Sequence, residues 1–137
     1  MEELSRWFND ERADRWAWAV LALLLAVVTT LALLPQQEVV VGTGWDKADH
    51  CLAFAALAAV ALRAWAHVPA PAGRWWTVLG WLLGYGVAIE LLQSQIPGRH
   101  GSGLDVAADA VGLVLGSLAY GLARRLLPWS DRARSNR

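Results

Sequence analysis

The feature that most constrains this chain is a run of 19 residues without a charge, from Trp16 to Leu34. About 20 apolar helical residues are needed to cross the hydrocarbon core of a bilayer. Similar stretches, interrupted only by a few ionisable groups, occupy residues 75–89 and 106–127, and a further candidate with Arg63 near its end occupies residues 51–66. No stretch alternates polar and apolar residues as strands do. The sequence therefore predicts an all-α, polytopic membrane protein with four transmembrane helices in a compact bundle.

The composition supports this fold class. Of the 137 residues, 56% are hydrophobic and only 18% are charged, below the roughly 25% of an ordinary soluble domain. The 12 Lys and Arg residues balance the 12 Asp and Glu residues, which gives no reason to expect a nucleic-acid partner. The single cysteine, Cys51, excludes an internal disulfide and a cysteine-based zinc cluster.

Segments rich in proline and glycine, such as residues 97–103, separate the apolar stretches. The predicted spans are about 16–34, 48–66, 75–96 and 104–127, between tails 1–15 and 128–137. Four spans place both termini on one side of the membrane. That side carries Arg6, Arg12, Arg15, Arg63, Arg74, Arg124, Arg125, Arg132, Arg134 and Arg137, whereas the other carries only Lys47 and Arg99. The positive-inside rule therefore predicts that both termini are cytoplasmic.

Apart from Arg63, the ionisable residues of the predicted membrane domain converge on its outer half. Charges there are costly and by default suggest a functional site. Helical spacing places several of them on shared faces. These sets are Asp46 with His50; Glu90 with Gln93; and Asp105 with Asp109, Gly112 and Gly116. A structural alternative is that Glu90 or Asp109 pairs with Arg99 or His50 to lock the helices together. Asp46 is also expected to be the N-cap of the second helix.

Two pairs of glycines have the small-x-x-x-small spacing that lets helix backbones approach closely. Gly112 and Gly116 lie below two carboxylates, so their stripe is expected to face another helix. Gly80 and Gly84 form the second pair. For both, tight packing inside the bundle is favoured over homodimerisation.

Three motifs in order resemble the VanZ-like family, over more than half of the chain. They are Asp46-Lys47-x-x-His50-x-x-x-Phe54, Glu90-x-x-Gln93-x-x-x-Pro97-Gly98-Arg99 and Asp105-x-x-x-Asp109-x-x-Gly112-x-x-x-Gly116. Where that family commonly has Asn, this chain has Asp109. The resemblance implies a small multi-pass protein of the bacterial cytoplasmic (inner) membrane with a role in the cell envelope. The family takes its name from a member linked to teicoplanin resistance, and the resemblance alone assigns no resistance to this chain.

The first functional hypothesis is a site at the outer leaflet that binds or acts on a membrane lipid or a lipid-linked envelope precursor. In it, Lys47 and Arg99 hold a phosphate, and His50 and Glu90 form a general acid/base pair. Asp105 orients His50 or Arg99. Gln93 supplies a neutral hydrogen bond, and the supporting residues are Asp46, Asp109, Gly112 and Gly116.

A divalent metal held by a His/Glu/Asp set, with Asp105, Asp109 and Glu90 as the oxygen ligands, is an alternative for this site. No local metal-ligand spacing supports it, so neither a metal nor another cofactor is predicted. The second hypothesis is a non-catalytic membrane module, either a lipid-binding scaffold or a subunit that changes envelope composition through a partner. The expected protein partners are a second copy of the chain or another membrane protein. A transporter is disfavoured because inverted repeats are not evident and the acids do not continue across the membrane. Whether the site is catalytic stays open.

Overall fold

The computed structural model describes residues 11–34, 42–66, 68 and 73–126, with side chains from residue 14 onward. These residues form four α-helices and no strand: α1 (Glu11–Leu33), α2 (Asp46–Ala64), α3 (Arg74–Gln93) and α4 (Gly103–Leu126). The all-α prediction is confirmed for this part of the chain. Most of the two predicted tails, 1–15 and 128–137, lies outside the described residues.

Three of the helices are long and apolar enough to cross a membrane, over Asp14–Leu33, Arg74–Gln93 and Gly103–Leu126. The fourth, α2, does not meet that description. It has 19 residues, or about 28 Å at 1.5 Å per residue, but it carries Asp46, Lys47, Asp49 and Arg63.

The second helix lies at the centre of the molecule and contacts α1, α3 and α4. Its buried side chains include Phe54, Leu57, Ala58, Ala61 and Leu62. Many of its residues are alanines, and small side chains allow neighbouring helices to approach closely on several sides. Enclosure by the other three helices explains why a helix with four charges can occupy this position.

The closest helix contact joins α4 to α2 at the stripe of Gly112 and Gly116. A Cβ added at Gly112 would lie 2.3 Å from the carbonyl oxygen of Cys51, and one added at Gly116 would lie 2.1 Å from that of Ala55. A residue larger than glycine does not fit at either position unless the two helices move apart. The prediction that this stripe faces another helix is confirmed.

The other glycine pair behaves differently. Gly80 and Gly84 are exposed on α3, and a Cβ added at either would meet nothing within 4 Å. The expectation that this pair packs inside the bundle is wrong, because α3 turns this face away from the other described helices.

Hydrogen bonds attach the second half of α1 to the second half of α3. The hydroxyls of Thr29 and Tyr85 lie 2.8 Å apart, and the Tyr85 hydroxyl also donates to the carbonyl of Leu25 at 3.2 Å. Nearer the end of α3, the Gln93 amide donates to the carbonyl of Ala32 at 3.0 Å. The last of these contacts places α1 beside the predicted site.

The start of α2 corrects one local expectation. The N-cap position belongs to Trp45, and no side chain caps it, so Asp46 is the first helical residue. The carboxylate of Asp49 instead accepts a hydrogen bond from the backbone N–H of Thr43 at 2.7 Å. This bond fixes the segment before the helix, where Gly42 comes so close that an added Cβ would lie 2.5 Å from the same carboxylate.

The opposite end of the bundle has a separate polar contact. Arg63 is 1% exposed and pairs with Asp14 of α1. Arg74, at the start of α3, donates to the carbonyls of Trp65 and Ala66 at 2.8 and 2.7 Å. These contacts join three helices at the end of the molecule away from the predicted site.

Candidate functional site

His50 lies between two buried carboxylates contributed by two different helices. Its Nδ1 donates to Oδ1 of Asp109 at 2.9 Å, and its Nε2 lies 3.7 Å from Oε1 of Glu90. Asp109 is 0% exposed and Glu90 is 6% exposed. Thus α2, α3 and α4 each place one ionisable side chain at the same point.

The loop after α3 holds Glu90 in position. The backbone N–H of Ser102 donates to Oε2 of Glu90 at 2.6 Å. Gly101 lies against the helix, since a Cβ added there would be 2.6 Å from the Glu90 carbonyl oxygen. The loop therefore folds back over the end of α3, which leaves Oε1 as the glutamate oxygen that faces His50.

A second group of side chains lies at the first turns of α2 and α4. Lys47 Nζ lies 3.2 Å from Oδ1 of Asp105. Asp46, His50 and Asp105 each bring one ligand atom within 4.8 Å of the others. Although Asp46 has an exposed surface, partial burial of its carboxyl raises its pKa, and the negative charge of Asp105 raises it further.

Four carboxylates, those of Asp46, Glu90, Asp105 and Asp109, therefore surround His50; we call them the acidic cluster. Two carboxylates separated by about 5 Å repel each other by roughly 3 kcal/mol at an effective dielectric constant of about 20. Three buried oxygens in the cluster make no hydrogen bond to any described residue: Glu90 Oε1, Asp105 Oδ1 and Asp109 Oδ2. Lys47 is near Asp105 Oδ1 but does not form a hydrogen bond with it. The cluster thus has more negative charge and more acceptors than its neighbours satisfy.

A cavity of about 130 Å³ opens beside His50, between α1, α2 and the end of α3. Its volume is about four times the 30 Å³ that a water molecule occupies in the liquid and well below that of a pocket for a drug-sized ligand. The wall on α1 is apolar, and the rest of the lining contains both polar and apolar residues. The lining residues are Val28, Leu31, Ala32, Asp46, Asp49, His50, Ala53, Phe54, Ile89, Gln93 and Arg99.

Arg99 is the cation of this cavity. It follows α3 in the loop, and its Nη2 donates weakly to the carbonyl of Leu31 at 3.4 Å. Its Nε, which is buried, makes no hydrogen bond within the described part of the chain. A guanidinium has five N–H donors, so most of the donors of Arg99 are left for another group.

The structure brings together several of the predicted site residues. His50 meets Glu90, the predicted acid/base partner, and Gln93 and Arg99 line the cavity beside them. Lys47 pairs with Asp105 and does not line that cavity. Asp105 was predicted to orient His50 or Arg99, but the carboxylate that bonds to His50 is that of Asp109.

Sequence reasoning missed the contribution of α1 and of the loop. Val28, Leu31 and Ala32 form the apolar wall of the cavity, but α1 is apolar on every side, so its sequence gives no signal of which residues face a site. The bond from Ser102 to Glu90 uses a backbone N–H, which no side-chain pattern reveals.

The arrangement of His50 defines what it can do chemically. A carboxylate that accepts the proton of Nδ1 fixes the tautomer and leaves a lone pair on Nε2. That nitrogen could take a proton from a bound group or bind a metal ion.

Comparisons of the chain with protein-family models, with curated proteins and with solved structures find no match. The resemblance to the VanZ-like family therefore stays a prediction from the three sequence motifs.

Proposed function

We propose that this chain is a VanZ-like, multi-pass protein of the bacterial inner membrane, with four spanning helices and both termini in the cytoplasm. The three apolar helices support its insertion. The enclosed position of α2 supports a fourth span, because its charges face other helices or lie at its ends. The orientation is supported by the bias of ten basic residues against two.

We further propose that the cavity beside His50 binds the phosphate-bearing head group of a lipid or a lipid-linked envelope precursor at the outer leaflet. The observation that carries this proposal is the division of the cavity lining between apolar residues, which include all those from α1, and polar residues, which include Arg99, His50 and Gln93 as well as the carboxylates of Asp46 and Asp49. A lipid presents the same division, with an acyl or isoprenoid chain attached to a polar group. The volume of 130 Å³ fits a small head group. The acyl or isoprenoid chain of the lipid can lie against the exposed apolar surface of the protein.

In this proposal Arg99 is the residue that holds the phosphate, because its free N–H groups match phosphate oxygens in a bidentate geometry. His50 and Glu90 are the pair that can transfer a proton to or from the bound group. Asp109 orients the imidazole through Nδ1. Lys47 can join the phosphate only by leaving Asp105, which its 38% exposed side chain permits.

The test is a titration of the detergent-solubilised protein with short-chain phosphatidic acid and, separately, with the diacylglycerol of the same chain length. The wild-type protein is expected to bind the first lipid and not the second. Arg99→Ala is expected to weaken binding roughly 10- to 100-fold, the value of one charge-assisted hydrogen bond. Arg125→Ala, which removes an exposed guanidinium from the last turn of α4, is the matched control. Equal binding of the two lipids, or unchanged binding by Arg99→Ala, would contradict the proposal.

The exposed glycines favour a second candidate function, that of a non-catalytic scaffold for a membrane partner. Gly80 and Gly84 leave open space on α3, and close helix association in membranes commonly uses such pairs. Gly84→Ile should leave the bundle folded and disrupt only an association on this face. A scaffold predicts that this variant changes the size of the complex recovered from membranes while Arg99→Ala does not.

A further inference from the structure

The first turns of α2 and α4 combine the donor types of a metal site. Asp46 and His50 are four residues apart and therefore lie on one face of α2, and Asp105 faces them from α4. One ligand atom of each lies within 4.8 Å of the others. This set shares a histidine and Asp105 with the metal alternative considered from sequence, but it uses Asp46 in place of Asp109 and Glu90.

His50 is prepared for such a role by Asp109. Histidines that bind metals usually donate their other ring N–H to a carboxylate or a carbonyl, which fixes the tautomer and orients the ring. Here Nδ1 donates to the fully buried Asp109, so that Nε2 keeps its lone pair.

The surrounding oxygens provide an independent argument for a cation. Glu90, Asp105 and Asp109 are all more than nine-tenths buried, and each has one carboxylate oxygen with no hydrogen bond to a described residue. Buried acceptors without a hydrogen bond are rare. Lys47 Nζ lies 3.2 Å from Asp105 Oδ1 and His50 Nε2 lies 3.7 Å from Glu90 Oε1, but neither contact is a hydrogen bond. The four carboxylates of the acidic cluster face one lysine and one histidine, so a charge of +2 would bring the group close to neutrality.

We propose that Asp46, His50 and Asp105 bind a divalent transition-metal ion such as Mn²⁺ or Zn²⁺. Two carboxylates and one imidazole match the ligand preferences of these ions better than those of Mg²⁺ or Ca²⁺, which take oxygen ligands. Donors about 2.1 Å from a metal are separated by roughly 3 to 3.5 Å in an octahedral or tetrahedral site. Ligand atoms that now lie up to 4.8 Å apart must therefore approach by as much as roughly 1.3–1.8 Å. The exposed Asp46 can supply this movement by changing its rotamer.

Three protein ligands leave coordination positions open. A phosphate oxygen could fill one of them, since Asp46 and His50 also line the cavity that contains Arg99. The metal would then offset the repulsion between a phosphate and the acids of the cavity. This use of the metal rests on the proposed function, whereas the metal site itself does not.

The experiment is a titration of the purified full-length protein with Mn²⁺ after treatment with a chelator, in detergent and without added lipid. Free Mn²⁺ is measured by electron paramagnetic resonance, and Zn²⁺ is added as a competitor. The wild-type protein is expected to bind about one Mn²⁺ per chain, displaced by Zn²⁺. His50→Ala and Asp105→Asn are expected to weaken binding at least 10-fold, and Asp109→Asn by 10- to 100-fold through loss of the oriented imidazole.

Asp49→Asn is the matched control, since Asp49 lies on the same turn of α2 but outside the three-residue set. An asparagine oxygen can still accept the bond from Thr43. Helical content by circular dichroism and a single size-exclusion peak establish that each variant is folded. The wild-type titration tests the proposal even if a variant does not fold. Absence of stoichiometric binding of Mn²⁺ or Zn²⁺ by the wild type would overturn the proposal, as would an equal loss in Asp49→Asn.

The metal and lipid proposals can fail separately. Arg99→Ala is expected to bind Mn²⁺ as the wild type does, because Arg99 is not one of the three ligands. A protein that binds Mn²⁺ but no phosphatidic acid refutes only the lipid proposal. One that binds phosphatidic acid through Arg99 but no metal refutes only the metal proposal.

Discussion

Replacement of Gly116 by alanine should destabilise the bundle more than any other single methyl group added to its glycine stripes. The new Cβ would lie 2.1 Å from the carbonyl oxygen of Ala55, and also 2.8 Å from its carbonyl carbon. A normal contact between these atoms is about 1 Å longer, and both neighbours are backbone atoms that cannot rotate away. The separation of α2 and α4 must therefore increase along their contact. Overpacking costs about 1–3 kcal/mol in well-packed cores, and we expect the upper end of that range here.

The matched control is Gly84→Ala, on α3, where an added Cβ meets nothing within 4 Å. This variant is expected to keep the wild-type free energy of unfolding or to gain up to about 1 kcal/mol from helix propensity. The assay is equilibrium unfolding in mixed detergent micelles, followed by far-UV circular dichroism. If Gly116→Ala is as stable as Gly84→Ala, the close approach of α2 and α4 is refuted.

Two further predictions concern contacts away from the site. Asp14→Asn is expected to lower the free energy of unfolding by about 1–3 kcal/mol, because it removes the negative charge that faces the buried guanidinium of Arg63. In a double-mutant cycle measured by chemical unfolding, the same change in an Arg63→Met background should lower it by less than half as much. Tyr85→Phe is expected to cost about 1 kcal/mol through loss of its hydrogen bonds. A Thr29→Val background should reduce that cost when thermal unfolding of the four proteins is compared.

Helical periodicity carries much of the fold information in this sequence. The four helices follow from apolar stretches separated by proline and glycine, and the packing of Gly116 follows from its position below two carboxylates. The same motif at Gly80 and Gly84 led to the opposite result, because the spacing of residues on one helix defines a face but not what that face contacts. The partner of a face depends on how all four helices are arranged, and that arrangement is long-range information.

The site, like the fold, was predictable where it depends on spacing along one helix and not where it depends on the arrangement of several helices. Spacing places Asp105 and Asp109 on one stripe of α4, and it places His50 on a polar stripe of α2. It does not show which carboxylate lies level with His50. That choice depends on where α2 and α4 cross, which the close contact at Gly112 and Gly116 determines. Asp109, one turn nearer the crossing, meets His50, and Asp105 is left beside Lys47.

The central claim is that the cavity beside His50 holds a phosphate-bearing lipid through Arg99. The most direct measurement is mass spectrometry of the lipids retained by the protein after gentle extraction from its native membrane. We expect one class of phospholipid or isoprenoid-linked phosphate to be enriched on the wild-type protein and on Arg125→Ala, and to be lost from folded Arg99→Ala. The same lipid at the same occupancy on Arg99→Ala, or no enrichment on the wild type, would contradict the claim.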